Sequence, residues 1–486
     1  MKNKLSEWWL RTTELDGRSL QLTRVLLGLA MLYQQARDFL FADIFFSGSG
    51  VAPAALVHTV RNWGDFLSIH RLSDDVSVQR ILFALGVATA LALIFGFKTR
   101  FTLILAWYLT ASAHARNPLL LQIGDTQLRM MLFFMMFLPW NQIQKGTVRS
   151  WANGFLLLQV ALSFWFAAAQ KTGIDWQHGT AVFYTLHSGS FATAWADALL
   201  GSPRKVLLFL TWLSPYIEAL IPFLFFAGRW ARVIAVTLMI AAAIGLGLLF
   251  DLETYALISI AAALLLLPGA CWKGLSAKLG RQKQTDVAAP FSPRWTGAST
   301  AALVFWILSL WANLAVVSTD FQDLNMRPLR ALIGGVGFAQ KWVLFQNVNR
   351  KDFGYYRVVA AGSAQGESAP VWSFFENKSV ALGALPERGA EIYPSMEWRR
   401  FTTALLREVR GPIGFIGPGL CRAMGTQAGS HVQLWQYYRR LKFGLPADFY
   451  QRRLLLDFSC AEGQVLYDLR VETPEDAGPF PQDGAT

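Results

Sequence analysis

Residues 151–187 read WANGFLLLQVALSFWFAAAQ (151–170), KTGIDWQHGT (171–180) and AVFYTLH (181–187). The first block carries no charge and is followed directly by Lys171. An uncharged run of about 20 residues is long enough to cross a hydrocarbon layer as a helix. A break holding Gly173 and Gly179 comes next, with the pair Asp175-Trp176 inside it, and then a short amphipathic segment. The stretch therefore predicts a helical membrane protein with polar chemistry gathered at the end of one span.

The rest of the chain repeats the apolar theme. Of 486 residues, 53% are hydrophobic and 16% are charged, against about 25% charged in soluble proteins. Apolar runs fall at about 20–41, 80–97, 101–121, 127–140, 151–171, 204–227, 230–250, 252–269 and 296–317, giving about nine spans. The net charge of +12 does not indicate nucleic acid. Most Lys and Arg outside the C-terminal region sit in short loops: Lys98 and Arg100, Lys145 and Arg149, Arg229 and Arg232, then Lys273, Lys278 and Arg281. Every second loop is basic, and the loops between carry Asp74 and Asp75, or Asp251 and Glu253. Basic loops stay cytoplasmic. The expected topology is multi-pass in a cell inner membrane, with a cytoplasmic N-terminus and everything after residue 317 outside. No cleavable signal peptide is evident in residues 1–18, which carry both charge signs.

Residues 318–486 differ in composition. Short strand-like runs at 341–347, 355–360, 371–375 and 453–459 alternate with two amphipathic segments, 395–409 and 431–442, that read as helices. The predicted division is a transmembrane helical bundle over 1–317 and an extracytoplasmic α+β domain over 318–486. The Pro-, Gly- and acid-rich tail from Thr473 onward is expected to be disordered. Neither internal repeats nor the inverted halves of many transporters are visible.

Ionisable groups inside spans are costly and are functional candidates by default. Lys171 reads either as a lysine that snorkels to the headgroups or as a buried base whose desolvated amine takes a proton. The first span ends in Tyr33-Gln34-Gln35-Ala36-Arg37-Asp38, too polar to face lipid. His114 closes the third span, Asp125 and Arg129 open the fourth, and His178 and His187 lie beyond Lys171. All fall on one predicted side of the membrane. Glu218 lies mid-span between Pro215 and Pro222. It either bonds nearby helices in protonated form or pairs with a cation such as Arg24. Cys421 and Cys460 both fall outside, where a disulfide is permitted and geometry decides. The six His show no metal-ligand spacing, and no Walker loop, nucleophile elbow or dinucleotide fingerprint occurs in a suitable context.

Several of these residues resemble a known family. Arg24-x-x-x-Gly28 in the first span, Gly124-Asp125-Thr126-Gln127-Leu128-Arg129 with Phe137-Leu138-Pro139, Lys171-Thr172-Gly173-Ile174-Asp175-Trp176-x-x-Gly179-Thr180, and Ile217-Glu218-x-x-Ile221-Pro222 are similar, in this order, to the motifs of HTTM-domain membrane proteins. Trp342-x-x-Phe345 and Met396-Glu397-Trp398-Arg399-Arg400-Phe401 resemble the soluble tail of many members. The resemblance implies a vitamin K-dependent gamma-carboxylase-like protein. In such an enzyme the lysine matching Lys171 deprotonates vitamin K hydroquinone, and the oxygenated product removes a glutamate γ-proton. It implies a reduced quinone as the lipid-soluble reactant and Lys171 as the base. Arg37, Asp38 and His178 would be orienting groups, with His114, Asp125, Arg129, Asp175 and Trp176 completing the substrate site. The carboxylase's histidine before this span has no counterpart, since residues 115–177 contain no His. The tail is also much shorter than the carboxylase's. A second reading is non-enzymatic: a membrane scaffold or maturation factor that binds a secreted peptide through residues 318–486.

Overall fold

A computed structural model describes residues 2–60, 68–188, 191–278, 295–317, 332–335, 337–338, 340, 342, 353–361, 370–383, 389–409, 411–425, 431–439, 441, 443 and 451–469. The chain is mostly helical. An N-terminal helix α1 (Lys2–Thr12) leads into α2 (Gly17–Leu40), α3 (Val76–Phe95), α4 (Thr99–Arg116), α5 (Ile123–Met135), α6 (Trp151–Ala169), α7 (Arg204–Leu224), α8 (Arg229–Leu249), α9 (Tyr255–Leu265) and α10 (Gly297–Val317). Side-chain caps start several of these. Asp16 accepts from the Arg18 amide, Asp75 from those of Ser77 and Val78, and Ser150 from that of Ala152. Gly96, at φ +76°, closes α3 in the left-handed conformation that glycine adopts without cost.

Helices occupy all nine apolar runs, but five are both long and apolar enough to cross a membrane: α3, α6, α7, α8 and α10. The other four depart for two reasons. α2 and α4 carry arginines and other polar residues along their length, and α5 and α9 are short, at 13 and 11 residues. Of these four, α5 and α9 hold no exposed residue, while α2 and α4 are buried in part and expose side chains such as Tyr33 and Phe101. α2 and α9 run antiparallel, tied at three depths: Ser19 Oγ to the Leu267 carbonyl (2.8 Å), Thr23 Oγ1 to the Ala261 carbonyl (3.1 Å), and Gln34 Nε2 to Thr254 Oγ1 (3.0 Å). The bundle core joins these helices through Leu27, Met31, Phe134, Leu156 and Ile258.

Part of the chain assigned by sequence to the outer domain lies inside this core. Ile333 and Phe338 are buried among α5 and α10, and the Phe338 ring meets Phe133 (4.7 Å) and Phe305 (5.4 Å). Gln340 is held by amide contacts with Gln159 (3.0 Å) and Asn313 (3.2 Å), and by the indole of Trp342 (3.1 Å). The polar side chain of Gln340 is tolerated there because other side chains satisfy its hydrogen bonds. Residues 333–342, placed by sequence in the outer domain, thus contribute Ile333, Phe338 and Gln340 to packing within the bundle.

Beyond it lies a six-stranded antiparallel sheet of β1 (Phe353–Ala361), β2 (Pro370–Ser373), β3 (Lys378–Ala381), β4 (His431–Arg439), β5 (Gln451–Ser459) and β6 (Gln464–Asp468), in the order β3-β2-β1-β4-β5-β6. The helices α11 (Met396–Glu408) and α12 (Gly417–Met424) cover it. Residues 431–442, expected as a helix, form the central strand β4 over 431–439. Val432 and Leu434 alternate inward, and pairing with β1 on one side and β5 on the other fixes the extended form. The expected strand at 341–347 and the expected disordered tail from 473 lie outside the described residues. The expected strands at 355–360, 371–375 and 453–459 correspond to β1, β2 and β5.

Sheet and bundle share one apolar cluster. Phe45, Phe46, Val51, Phe83, Leu119 and Leu120 from the membrane half pack with Tyr355, Val358, Trp398, Phe401, Leu405 and Val432. Trp398 stands edge-on to Phe45 at 5.1 Å. Val60 also bridges to Val409 by an isolated strand contact. Cys421 and Cys460 form a disulfide that ties α12 to the end of β5.

Candidate functional site

The polar residues singled out in the sequence assemble in two places. The first is a buried charge network where α2, α5 and α9 meet α11. Arg37, near the end of α2, donates to Asp38 (2.8 Å) and to Glu253 (2.5 Å), and its Nε lies 2.7 Å from Glu397. Arg400 donates to the same Glu253 oxygen (2.7 Å) and to the Leu120 carbonyl (3.1 Å), and lies 3.7 Å from Asp125. Asp125 also caps its own helix, accepting from the Gln122 amide (2.7 Å), and takes a second bond from Gln34 (2.7 Å). One turn further along α5, Arg129 contacts His114 Nδ1 at 3.2 Å. Arg399 reaches outward to Asp251 (2.8 Å).

Every member of this network except Asp251 is nearly or fully buried. Charges taken out of water persist only when paired and hydrogen-bonded. Glu253 sits in the turn before α9 with φ +45°, a left-handed conformation that costs a non-glycine residue about 1 kcal/mol or more. Burial pushes its carboxyl above the ordinary range, against the pull of Arg400 and Arg37. The strained turn aims one carboxylate at two guanidiniums from different halves of the chain. Sequence reading missed Glu253, Glu397 and Arg400 as members. The one available signal was the acidic outer loop and the Met396–Phe401 motif, neither of which specifies a partner.

The second assembly surrounds Lys171. α6 ends at Ala169, and the break at 171–173 turns the chain into a short helix, Ile174–Gln177. Thr180 Oγ1 donates to Asp175 (2.8 Å), and the Thr180 amide to the Asp175 carbonyl (2.8 Å), which closes the motif on itself. Gly179, at φ +76°, lets α7 approach: a Cβ there would stand 2.7 Å from Leu208. Trp176 is buried under the ammonium of Lys171, 5.2 Å from the ring centre. Nζ of Lys171 pairs with Oε1 of Glu218 on α7. Glu218 thus takes Lys171 as its cation, whereas Arg24 lies against Gly96 at the far end of the bundle.

α7 presents Glu218 where its own backbone is weakened. Pro222 cannot donate to the Glu218 carbonyl, and Pro215 cannot donate to that of Thr211, which Ser214 Oγ reaches instead at 3.4 Å. Indole N–H groups fix the surrounding walls. Trp165 donates to the Ala219 carbonyl (3.3 Å) and Trp212 to that of Gln177 (3.3 Å). Gln170, adjoining Lys171, donates to the Trp342 carbonyl (3.5 Å) and so joins the buried segment to the site. The second carboxylate oxygen of Glu218 is buried and makes no hydrogen bond among the described residues.

Of the candidates named from sequence, Arg37, Asp38, His114, Asp125 and Arg129 meet in the first assembly, and Lys171, Asp175 and Trp176 in the second. His178 joins neither: its backbone closes the 174–177 turn and its side chain is exposed. His187 bonds the Phe183 carbonyl (2.8 Å). No cluster of His, Cys, Asp and Glu suited to a metal ion occurs among the described residues.

No protein-family model, no curated protein and no solved structure matches the chain.

Proposed function

We propose that this protein is a vitamin K-dependent gamma-carboxylase-like membrane protein whose Lys171–Glu218 pair removes a proton from a lipid-soluble, quinol-like substrate. The observation that carries this reading is the open oxygen of Glu218 beside a buried ammonium. A buried acceptor without a donor costs about 1–3 kcal/mol. A phenolic hydroxyl would supply that donor, and the faces of Trp165, Trp176 and Trp212 suit a planar ring. The balance is simple. The pair holds one shared proton between amine and carboxylate, takes a second from the hydroxyl, and ends net positive beside the phenolate it has made. In a low-dielectric site that charge stabilises the anion far more than water would. In this reading the reactant is a reduced quinone. The role of these side chains ends with the phenolate.

Arg37, Asp38, Asp125, Glu253, Glu397 and Arg400 act in this reading as the latch that sets α11 on the bundle. We also place about nine crossings in an inner membrane, with the N-terminus cytoplasmic and the sheet outside. The Cys421–Cys460 disulfide supports an oxidising compartment for the sheet. The test is binding of a reduced naphthoquinone to the wild type, Lys171→Ala and Glu218→Gln across about pH 6 to 9. Saturable binding whose pH dependence disappears in both variants is expected, and identical curves in all three proteins would sink the proposal.

One observation favours the second reading, a maturation factor for a secreted peptide. β6 is an edge strand with Val465 and Leu466 46% and 47% exposed. Such an edge accepts an extended apolar peptide as an added strand. A Val465→Lys change that abolished function while Lys171→Ala left it intact would favour it.

A further inference from the structure

The end of the bundle opposite Lys171 holds a cavity of about 410 Å³. Its walls are the end of α1, the α7–α8 turn and the segment after α9. Arg232 builds it. From α8 its guanidinium donates to the carbonyls of Phe225 (2.8 Å), Glu14 (2.7 Å) and Thr12, fastening the chain after α1 to the α7–α8 turn. These acceptors are neutral, so the buried charge of Arg232 is not cancelled by them. Arg11 and Arg229 also line the space. Its two carboxylates are already engaged. Asp16 is held by Arg18 in a two-pronged pair (3.0 and 2.9 Å), and Glu14 is bound by Arg149 (2.8 Å). The Glu7 contact to Arg11 is 3.6 Å long and exposed, and such pairs contribute little.

The remaining wall is apolar and aromatic. Trp8 is 55% exposed at the rim, and Trp9 behind it stacks on Trp151 (6.5 Å) and Phe226 (6.2 Å). An aromatic rim around a basic cup, at the end of a bundle that carries Lys98, Arg100 and Arg149 in its other loops, is the arrangement found at a membrane–water interface. Phosphate oxygens are recognised by guanidinium forks.

We propose that this cup binds the phosphate of an anionic phospholipid headgroup, with Arg11 and Arg229 closing over it and Arg232 as the fixed charge at its base. The lipid's chains would run along the exposed apolar faces of α7 and α8, where Phe223, Trp230 and Ile234 are exposed.

The experiment is native mass spectrometry of the full chain released from detergent after incubation with phosphatidylglycerol, phosphatidylcholine or inorganic phosphate. Arg232→Gln removes three backbone anchors and is expected to misfold, so the informative variant is R11Q/R229Q, two exposed positions. The wild type is expected to retain one phosphatidylglycerol in preference to phosphatidylcholine. The double variant is expected to retain it about 30-fold more weakly, the effect of two basic side chains at an anionic lipid surface. Equal retention of the two lipids, or no difference between wild type and a monodisperse double variant, overturns the proposal. Displacement of phosphatidylglycerol by millimolar inorganic phosphate overturns the lipid assignment and leaves a free-phosphate site.

Discussion

Removing both members of the Lys171–Glu218 pair should cost no more than removing one. Glu218→Gln leaves a buried ammonium whose only described ionic partner is gone, while Lys171→Met leaves a carboxylate that can still take up a proton or water. The Lys171 side chain is 5% exposed and that of Glu218 26%. Breaking a fully buried pair costs about 3–5 kcal/mol, and the partial opening at Glu218 sets the expectation at the lower end. Glu218→Gln should therefore destabilise by about 3 kcal/mol and Lys171→Met by about 2 kcal/mol. The double variant leaves no orphan charge and should lose only about 2 kcal/mol, a coupling of about 3 kcal/mol between the sites. The assay is reversible unfolding in mixed micelles at neutral pH, read by tryptophan fluorescence, with gel filtration to verify that each variant is folded. If the double variant's loss equals the sum of the single losses to within about 0.5 kcal/mol, the two side chains do not interact and the proton-accepting pair does not exist.

Three other perturbations test the frame around the site. Replacing both Cys421 and Cys460 by Ser opens a link between residues 39 apart, which a chain-entropy argument values at about 4 kcal/mol; protease digestion should then cut the sheet region first. Arg400→Met removes the guanidinium that answers Asp125 and Glu253, and should cost about 3–5 kcal/mol by leaving both short of charge. Circular dichroism melts would reveal it, and a loss under about 1 kcal/mol would contradict the latch. His70 is buried against Phe83 (4.6 Å), with Nδ1 2.8 Å from Gln79 Oε1, and burial lowers it to about 4. Its neutral form is the one that fits. Stability is therefore complete above about pH 6.5, where the unfolded chain is also neutral, and falls as pH drops toward 4, by about 3 kcal/mol at the limit. His70→Asn should flatten that acid slope; an unchanged slope would place the titration elsewhere.

The sequence was informative wherever a property is local. The uncharged run before Lys171 is one helix, and residues 395–409 read as amphipathic because Trp398, Phe401 and Leu405 recur at helical spacing. It was ambiguous where two periods coincide. In 431–442, Val432 and Leu434 fit a strand, while Leu434, Tyr437, Tyr438 and Leu441 also fit a helix. Only the neighbouring strands β1 and β5 decide between them. It was silent on partners. Glu218 lies 47 residues from Lys171, and Arg400 147 residues from Glu253, distances over which no spacing rule operates. The burial of residues beyond 317 was hidden for a similar reason. Phe338, Gln340 and Trp342 form no continuous apolar run, and Gln340 is buried through bonds to Gln159, Asn313 and Ser309 that no spacing announces.

The contrast between the two polar assemblies is one of connectivity. In the network around Arg37 and Arg400 each acid faces a base and the acids are shared: Glu253 serves Arg37 and Arg400, and Asp125 serves Gln34, the Gln122 amide and Arg400. Inserting a substrate there would first require breaking contacts that hold α11 to the bundle. At Lys171 the pairing is incomplete by one hydrogen bond, on an oxygen already shielded from water. Chemistry that moves a proton needs a group with an unused lone pair and a partner that steadies the charge it acquires. Glu218 and Lys171 meet both conditions. Helix α9 borders the network, where Thr254 bonds Gln34 and Tyr255 beside it packs against Gly124, and α5 packs in turn on α6, the helix that leads to Lys171. Loosening the latch should therefore shift Tyr255 and reach the proton-accepting pair without touching it, so that Arg400→Met weakens quinol binding as well as the fold.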